Sequence, residues 1–203
     1  MLNIALFGTS ADPPTLGHQV ILNWLADHFD WVAVWAADNP FKQQQTPLAH
    51  RMAMLGLMIQ NLHTPRQNVR LYPELGKPRT FHTLQIAKRY WRNARFTLVI
   101  GSDLIAQLPN WYRVDDLLPD VDLLIVPRPG YPLREADLEA LRQRGARVAI
   151  ADLMGPATSS TAYREHGESI GLTPQIEDYI HREHLYPCQE APPEKQPIPE
   201  TVT

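Results

Sequence analysis

The chain has 203 residues, 44% of them hydrophobic and 20% charged, enough apolar side chain to build one full core with both faces of a sheet covered. A formal net charge of -3 lacks the basic excess with which nucleic-acid binders hold phosphate backbones, so the composition points to a small-molecule partner and away from nucleic acid. The single Cys188 excludes an intrachain disulfide and a multi-cysteine zinc site. No apolar run approaches the roughly 20 residues of a membrane span, and Met1-Leu2-Asn3 opens without a basic region before a long apolar run, so a cytoplasmic protein with no membrane partner is expected.

Short apolar runs alternate with longer segments of helical period, the pattern of an α/β fold whose mostly parallel sheet is wrapped by crossover helices. In chain order the spacing predicts a strand over Leu2 to Phe7, a helix over Gly17 to Phe29, a strand over Trp31 to Ala36 and a helix over Pro47 to Leu62. There follow a strand over Val69 to Tyr72, a helix over Thr80 to Arg92, and strands over Phe96 to Ile100 and Leu123 to Val126. A helix over Leu133 to Arg144, a strand over Val148 to Ala151, a short helix opening near Ser159 or Ser160 and a last helix over Thr173 to His184 complete the set. The strands are short and mostly apolar, as strands covered on both faces should be. From Pro187 onward the sequence is rich in proline and nearly free of large apolar side chains, so a domain over residues 1–187 and a disordered tail over 188–203 are expected.

Ligands of such folds collect where strand C-termini meet helix N-termini. After the first strand comes Gly8-Thr9-Ser10-Ala11-Asp12-Pro13-Pro14-Thr15-Leu16-Gly17-His18, a loop of small residues leading into a helix whose free N–H groups and positive end suit a phosphate. His18 can give a charge-assisted hydrogen bond to a phosphoryl oxygen, and Thr15 adds a hydroxyl three residues earlier. The plainer alternative has Gly8 and Pro13-Pro14 shaping a turn, Thr15 capping the helix and His18 as an ordinary half-buried histidine. The G-x-G-x-x-G pattern of dinucleotide-binding dehydrogenases is absent. His181 and His184 stand three apart on a predicted helix, with no further metal ligand nearby in sequence, so no metal site is assigned.

Thr15-Leu16-Gly17-His18 resembles the (H/T)-x-G-H signature of the adenylyl- and cytidylyltransferase superfamily, and other segments follow in order. Asp38-Asn39-Pro40-Phe41-Lys42 is similar to the N-x-P-x-K/R loop of bacterial nicotinate mononucleotide adenylyltransferases, with Arg51 on the next helix. Arg79-Thr80-Phe81-His82-Thr83 resembles their aromatic-Thr segment, and Ile100-Gly101-Ser102-Asp103 with Trp111-Tyr112 their I-G-x-D stretch and W-Y pair. Pro127-Arg128-Pro129-Gly130-Tyr131 and Ser159-Ser160-Thr161-Ala162-Tyr163-Arg164 are similar to the R-P-G-Y and S-S/A-T-x-x-R segments. Thr9 stands where the family commonly has a second glycine, Ala11 where it has Phe, and Thr15 where close relatives often carry His.

The resemblance implies a Rossmann-like nucleotidyltransferase that moves the AMP part of ATP to nicotinate mononucleotide, with nicotinamide mononucleotide as a second acceptor. It implies His18, Thr15 and the first helix N-terminus at the α-phosphoryl group, and Lys42 and Arg164 with Ser159, Ser160 and Thr161 at the triphosphate. Gly8, Thr9, Ser10, Gly17 and Gly101 would line the ATP site, and Asp103 would meet its ribose. Lys42, His82, Thr83, Trp111 and Arg128 would hold the mononucleotide, His82 and Thr83 through backbone donors to the pyridine carboxyl group, Trp111 by stacking on the pyridine ring and Arg128 by pairing with the phosphate. Each has a plainer role: Asp103 as a cap of a short helix over Leu104 to Leu108, Trp111 as core, Lys42 and Arg51 as solvated helix-face charges, Arg128 in a surface ion pair, and Arg164 paired to Glu168. Mg²⁺ would ride on ATP, held mostly by phosphate oxygens and water. Room is left for a homo-oligomer. Two other readings stay open: a pantetheine-phosphate adenylyltransferase, which also carries T-x-G-H after its first strand, and a nucleotide-binding sensor of the same fold without turnover.

Overall fold

The computed structural model describes residues 1–38, 45–153, 160–166 and 171–186. Asn39 to Lys42, Ser159 and the tail beyond Tyr186 lie outside the described residues, so the assignments made to Lys42, Ser159 and the tail find no structural counterpart here.

Six strands, β1 (Leu2–Thr9), β2 (Trp31–Ala36), β3 (Val69–Leu71), β4 (Ala94–Gly101), β5 (Asp122–Val126) and β6 (Arg147–Ile150), form one sheet in the order β3-β2-β1-β4-β5-β6. Every pairing is parallel, with Ile4 opposite Trp31 on one side of β1 and opposite Phe96 on the other. Helices α1 (Leu16–His28), α2 (Leu48–Gln60), α3 (Thr80–Tyr90), α4 (Val114–Leu117), α5 (Glu135–Gln143), α6 (Ser160–His166) and α7 (Pro174–Arg182) connect and flank the strands. The strands therefore begin along one edge of the sheet and end along the other, and every strand-to-helix loop opens on that second edge.

Alternation along the strands builds two cores. Ile4, Leu6, Trp35, Leu98, Ile100, Leu123 and Ile125 face one way and meet Leu84 and Ala87 of α3, Leu117 of α4 and Leu138 and Leu141 of α5. Ala5, Phe7, Val32, Val34, Val99 and Leu124 face the other way and meet Leu22 and Leu25 of α1, Met54, Leu55 and Met58 of α2, and Ile176 and Ile180 of α7. A fully buried leucine of this kind contributes about 1.5–3 kcal/mol, which outweighs the weak helix propensity of any one segment. Local signals set the ends: Thr173 precedes Pro174 at the start of α7, and Glu135 and Asp137 stand in the first turn of α5 with Arg142 in its last.

The predicted strands and long helices recur within a few residues, with three corrections. Helix α1 starts at Leu16 rather than Gly17, which makes Thr15 its N-cap residue. Strand β6 is not covered on both faces: it is the edge strand of the sheet, with Ala149 and Ile150 exposed and Val148 packed against the first core. In the segment between β4 and β5, in place of the short helix considered over Leu104 to Leu108, stands a chain of short turns, Ser102–Leu104, Leu108–Asn110, α4 and Leu118–Asp120, units of three or four residues too short to show a period.

Candidate active site

Strand order reverses between β1 and β4, so the loops after these two neighbours diverge to opposite faces and leave a crevice between them. Gly8 lies at the end of β1 with its backbone pressed on Trp35; a β-carbon there would sit 2.6 Å from the indole ring, so no larger residue fits without displacing it. Thr9 is the last residue of β1 and is not in the left-handed region, so replacing a glycine there carries no backbone strain; the positive φ of the loop falls instead on Ala11, at 46°.

His18 sits on the first turn of α1 and is bonded at both ring nitrogens. The Thr15 N–H donates to Nδ1 at 3.0 Å, and the Thr15 hydroxyl lies 3.1 Å from the same nitrogen. This is a capping-box arrangement with a histidine in the place usually held by Glu or Gln. A backbone N–H can only donate, so Nδ1 carries the lone pair and Nε2 carries the hydrogen. Nε2 therefore donates to the Thr9 hydroxyl, 2.9 Å away. The N-terminus of α1 is less open than its sequence suggests: the Leu16 N–H is taken by the Gly171 carbonyl at 2.6 Å and the His18 N–H by the Thr15 carbonyl at 2.8 Å. That leaves the Gly17 N–H of this turn for an anion, with the Nε2–H of His18, held on the Thr9 hydroxyl, beside it.

Beneath the loop lies a buried polar cluster. The apolar stripe of α2 runs through Met54, Leu55 and Met58, and Arg51 falls on the same stripe, 1% exposed. It is neither the solvated charge that its residue type suggests nor turned towards a phosphate. Its Nε donates to the Thr46 carbonyl at 2.8 Å and its Nη1 to the Ser10 carbonyl at 2.9 Å and the Ala37 carbonyl at 2.8 Å, tying together the loops after β1 and β2. Burial pulls the guanidinium below its ordinary value, opposed by the carboxylates of Asp12 and Asp38, and an arginine stays charged throughout. Asp12, buried and followed by a cis bond to Pro13, accepts from the Tyr186 hydroxyl at 2.6 Å and from the Thr46 N–H at 3.4 Å.

Helix α6 and the end of the described chain grip the loop from outside. Ser160 Oγ donates to the Pro13 carbonyl at 2.8 Å, while Arg164 donates to the Asp12 carbonyl and lies 3.9 Å from the Asp12 carboxylate and 3.3 Å from Thr161 Oγ1. The structure thus gathers Thr9, Ser10, Thr15, Gly17, His18, Ser160, Thr161 and Arg164 around one loop, with Arg164 still about one third exposed. Sequence reasoning missed Asp12 and Tyr186, and only the position of Arg51 on a core-facing stripe could have signalled the cluster. Burial, then the bond to Asp12, pushes the Tyr186 hydroxyl well above its ordinary value. A tyrosine raised in this way contributes stability that is whole below its unfolded pKa of about 10 and is lost as pH rises through and beyond it. Tyr186→Phe is expected to melt lower at neutral pH by the equivalent of about 1–2 kcal/mol, yet to lose less than the parent chain when thermal melts are carried past about pH 10.

A second group follows β4 and β5. Ser102 is buried and acts as a pin: its Oγ accepts from the Arg128 N–H at 3.0 Å and donates to the Tyr131 carbonyl at 2.9 Å, which fixes the Arg-Pro-Gly-Tyr turn to the end of β4. Arg128 Nη1 donates to Asp103 Oδ2 at 3.0 Å, whereas Asp103 Oδ1 is buried without a hydrogen-bond partner. A β-carbon on Gly101 would fall 2.3 Å from that oxygen and 2.9 Å from the Arg128 side chain, so Gly101 gives both charged groups their room. An orphaned buried carboxylate oxygen beside the crevice is suited to a ligand hydroxyl.

The third group lies where α3 begins. His82 is exposed and its ring lies 5.5 Å from that of Tyr112, over which Arg79 also stands at 5.4 Å. Thr83 is not a side-chain donor for a ligand, since its hydroxyl is buried and donates to the Leu75 carbonyl at 2.7 Å. Trp111 is half-buried against the first core, and it is Tyr112, 44% exposed, that presents an open ring on this side. An aromatic with one free face and a neighbouring helix start can hold a flat heterocycle bearing an anionic group.

Residues 6–166 match the family model described as cytidylyltransferase-like. Over 198 residues the chain is 42% identical to a Synechocystis protein named "Probable nicotinate-nucleotide adenylyltransferase", a match covering 91% of this chain and 99% of that one. It is 33% identical over 149 residues to the Bacillus subtilis protein named "Nicotinate-nucleotide adenylyltransferase", covering 68% of this chain and 79% of the other. Among solved structures, the Plasmodium falciparum nicotinic acid mononucleotide adenylyltransferase complexed with NaAD has the same fold, with a TM-score of 0.79 at 21% identity over 92% of this chain and 98% of that one. With the signature loop at the switch point of a six-stranded parallel sheet and a relative 42% identical along nearly its whole length, the chain belongs to the nicotinate-nucleotide adenylyltransferase family of cytidylyltransferase-like proteins.

Proposed function

We infer that this chain is a nicotinate-nucleotide adenylyltransferase, joining the AMP part of ATP to nicotinate mononucleotide and releasing pyrophosphate, a step of NAD biosynthesis. The observation that carries the reading is the convergence of the Gly17 N–H, His18 and the one-third-exposed Arg164 on the loop after β1, next to β4, whose end carries Asp103 with its orphaned oxygen and, bonded to it, Arg128. These groups suit two phosphorylated substrates brought end to end.

In the reaction an oxygen of the mononucleotide phosphate attacks the α-phosphorus of ATP. A new P–O bond forms, the bond from the α-phosphorus to the bridging oxygen breaks, and its electron pair leaves with pyrophosphate. No covalent enzyme intermediate is needed, so catalysis rests on aligning two anions and on donors aimed at charge that grows on the phosphoryl and leaving oxygens. His18, Thr15 and Gly17 serve the α-phosphoryl group. Arg164 and Thr161, with Lys42 and Ser159 from outside the described residues, serve the leaving phosphates. Ser160 contributes chiefly by holding Pro13, and Ser10 through the backbone. Asp103 takes the ATP ribose, Arg128 the mononucleotide phosphate, and the Tyr112–His82 pair with Trp111 and the N-terminus of α3 the pyridine carboxylate. The donors at the first loop are N–H, O–H and guanidinium groups, which fit phosphate oxygens rather than a bare cation, so Mg²⁺ belongs to the ATP substrate. Both substrates are soluble phosphorylated metabolites, which supports a cytoplasmic location.

The test is pyrophosphate release by purified protein given Mg-ATP and, separately, nicotinate mononucleotide, nicotinamide mononucleotide or phosphopantetheine. Release with the nicotinate form is expected. Release with phosphopantetheine alone, or ATP-dependent stabilisation with no release in any tube, would move the protein to another branch or to a binding role. Arg128→Ala is expected to raise KM for the mononucleotide about tenfold while KM for ATP changes little, since it removes a charged donor from one substrate. Equal rises in both constants would show that the Arg128–Asp103 pair serves the site as a unit.

A further inference from the structure

We propose that Thr9 is a positioning residue that anchors the imidazole of His18 to the sheet, a role resting on the assignment of His18 above. The Nδ1 side of the ring is held by Thr15, which is itself part of the loop and of the first helical turn. The Nε2 side is held by the Thr9 hydroxyl at 2.9 Å. Thr9 is rigid for reasons the loop residues do not share. It ends β1, pairs with Ala36 of β2, and accepts the Ala37 N–H at 2.7 Å, so its backbone is set by the sheet ladder. Its β-branched side chain has few rotamers. Gly8 and Thr9 point to opposite faces of the strand: Gly8 must stay bare beneath Trp35, whereas Thr9 has room for a hydroxyl on the side of α1.

Bonds at both nitrogens fix the ring plane, keep the hydrogen on Nε2 and prevent a ring flip that would turn carbon towards the phosphate. The Thr9 hydroxyl accepts from His18, and its own hydrogen remains to be donated onward. When the nucleotide arrives, its α-phosphoryl oxygen shares Nε2–H with the Thr9 hydroxyl, which keeps the ring in place. A glycine at this position would remove that bond.

The experiment combines turnover with a view of the ring. Initial rates of pyrophosphate release from Mg-ATP and nicotinate mononucleotide would be measured for Thr9→Val, Thr9→Ser, His18→Ala and the double variant Thr9→Val with His18→Ala. Thr9→Val is expected to lower kcat roughly tenfold, about what one lost hydrogen bond is worth, with KM for ATP and the melting temperature nearly unchanged. Thr9→Ser should recover most of the rate, and Thr9→Val should have no further effect once His18 is alanine, because the two act as one unit. In the free protein, the Nε2 hydrogen of His18 should be visible by ¹⁵N-edited NMR in the parent chain and be lost to exchange in Thr9→Val. Full kcat in Thr9→Val, or an equal loss with and without His18, overturns the proposal while leaving the His18 assignment standing. If His18→Ala turns over normally, the assignment itself is wrong. If the parent chain shows no turnover, the NMR signal still decides whether Thr9 anchors the ring.

Discussion

Replacing His18 with alanine is expected to lower kcat by on the order of 10² to 10³ while the protein stays folded, because the substitution removes a preorganised donor from the place where negative charge develops. The ring fills no core: it stands half-buried at the first turn of α1, bonded to Thr15 and Thr9 rather than packed among apolar side chains. Its removal exposes the Thr15 N–H to water instead of stranding it in an apolar interior, so the thermal midpoint should move little. KM for ATP should change less than kcat, since Nε2–H donates most strongly to the oxygen whose charge grows on the way to the transition state. Initial-rate kinetics beside a thermal melt check the point. A folded variant with unchanged turnover would remove His18 from the chemistry.

Arg51→Met should be the most damaging change to stability, at about 3 kcal/mol, because it strands the carbonyls of Ser10, Ala37 and Thr46 in a buried place and removes one of the two positive charges near Asp12, leaving Arg164. For a domain of this size each kcal/mol shifts the melting temperature by roughly 2–4 °C, so a drop of about 6–12 °C is expected. Lysine should not rescue it, since an ammonium cannot reach carbonyls on two loops with a fixed fork of donors. Activity should also fall in the folded fraction, through release of the loop after β1. A melt within about 2 °C of the parent chain would mean that water replaces the guanidinium, and the clamp would then not be structural.

Most of the fold was legible because it depends on local pattern. Apolar runs such as Leu123 to Val126 are strand-length and bounded, and α2 and α7 carry clear helical periods. The short turns between β4 and β5 were not, because a four-residue helix such as α4 has no period to detect and is held by Leu117 and Val114 entering the core. The exposure of β6 was equally hidden: Val148 to Ala151 reads like any buried strand, and only the strand order shows that it lies at an edge.

The same division runs through the candidate site. The sequence by itself determined the α/β class and the run of strand-end motifs, and it offered His18, Asp103, Arg128 and Arg164 as candidates for the chemistry, the first three lying just after a strand or in the first turn of a helix. It also determined, through the spacing of three residues from Thr15 to His18, that a threonine and a histidine would share one turn. Only the tertiary structure decided which of these are free to meet a ligand. It buried the Thr83 hydroxyl on the Leu75 carbonyl, which leaves that residue only its backbone to offer, turned Arg51 inward to hold two loops, and joined Asp12 to Tyr186, 174 positions later. Those outcomes rest on groups far apart in the chain being driven together by burial, where every polar atom must find a partner, and no local pattern of residues records which partner that will be.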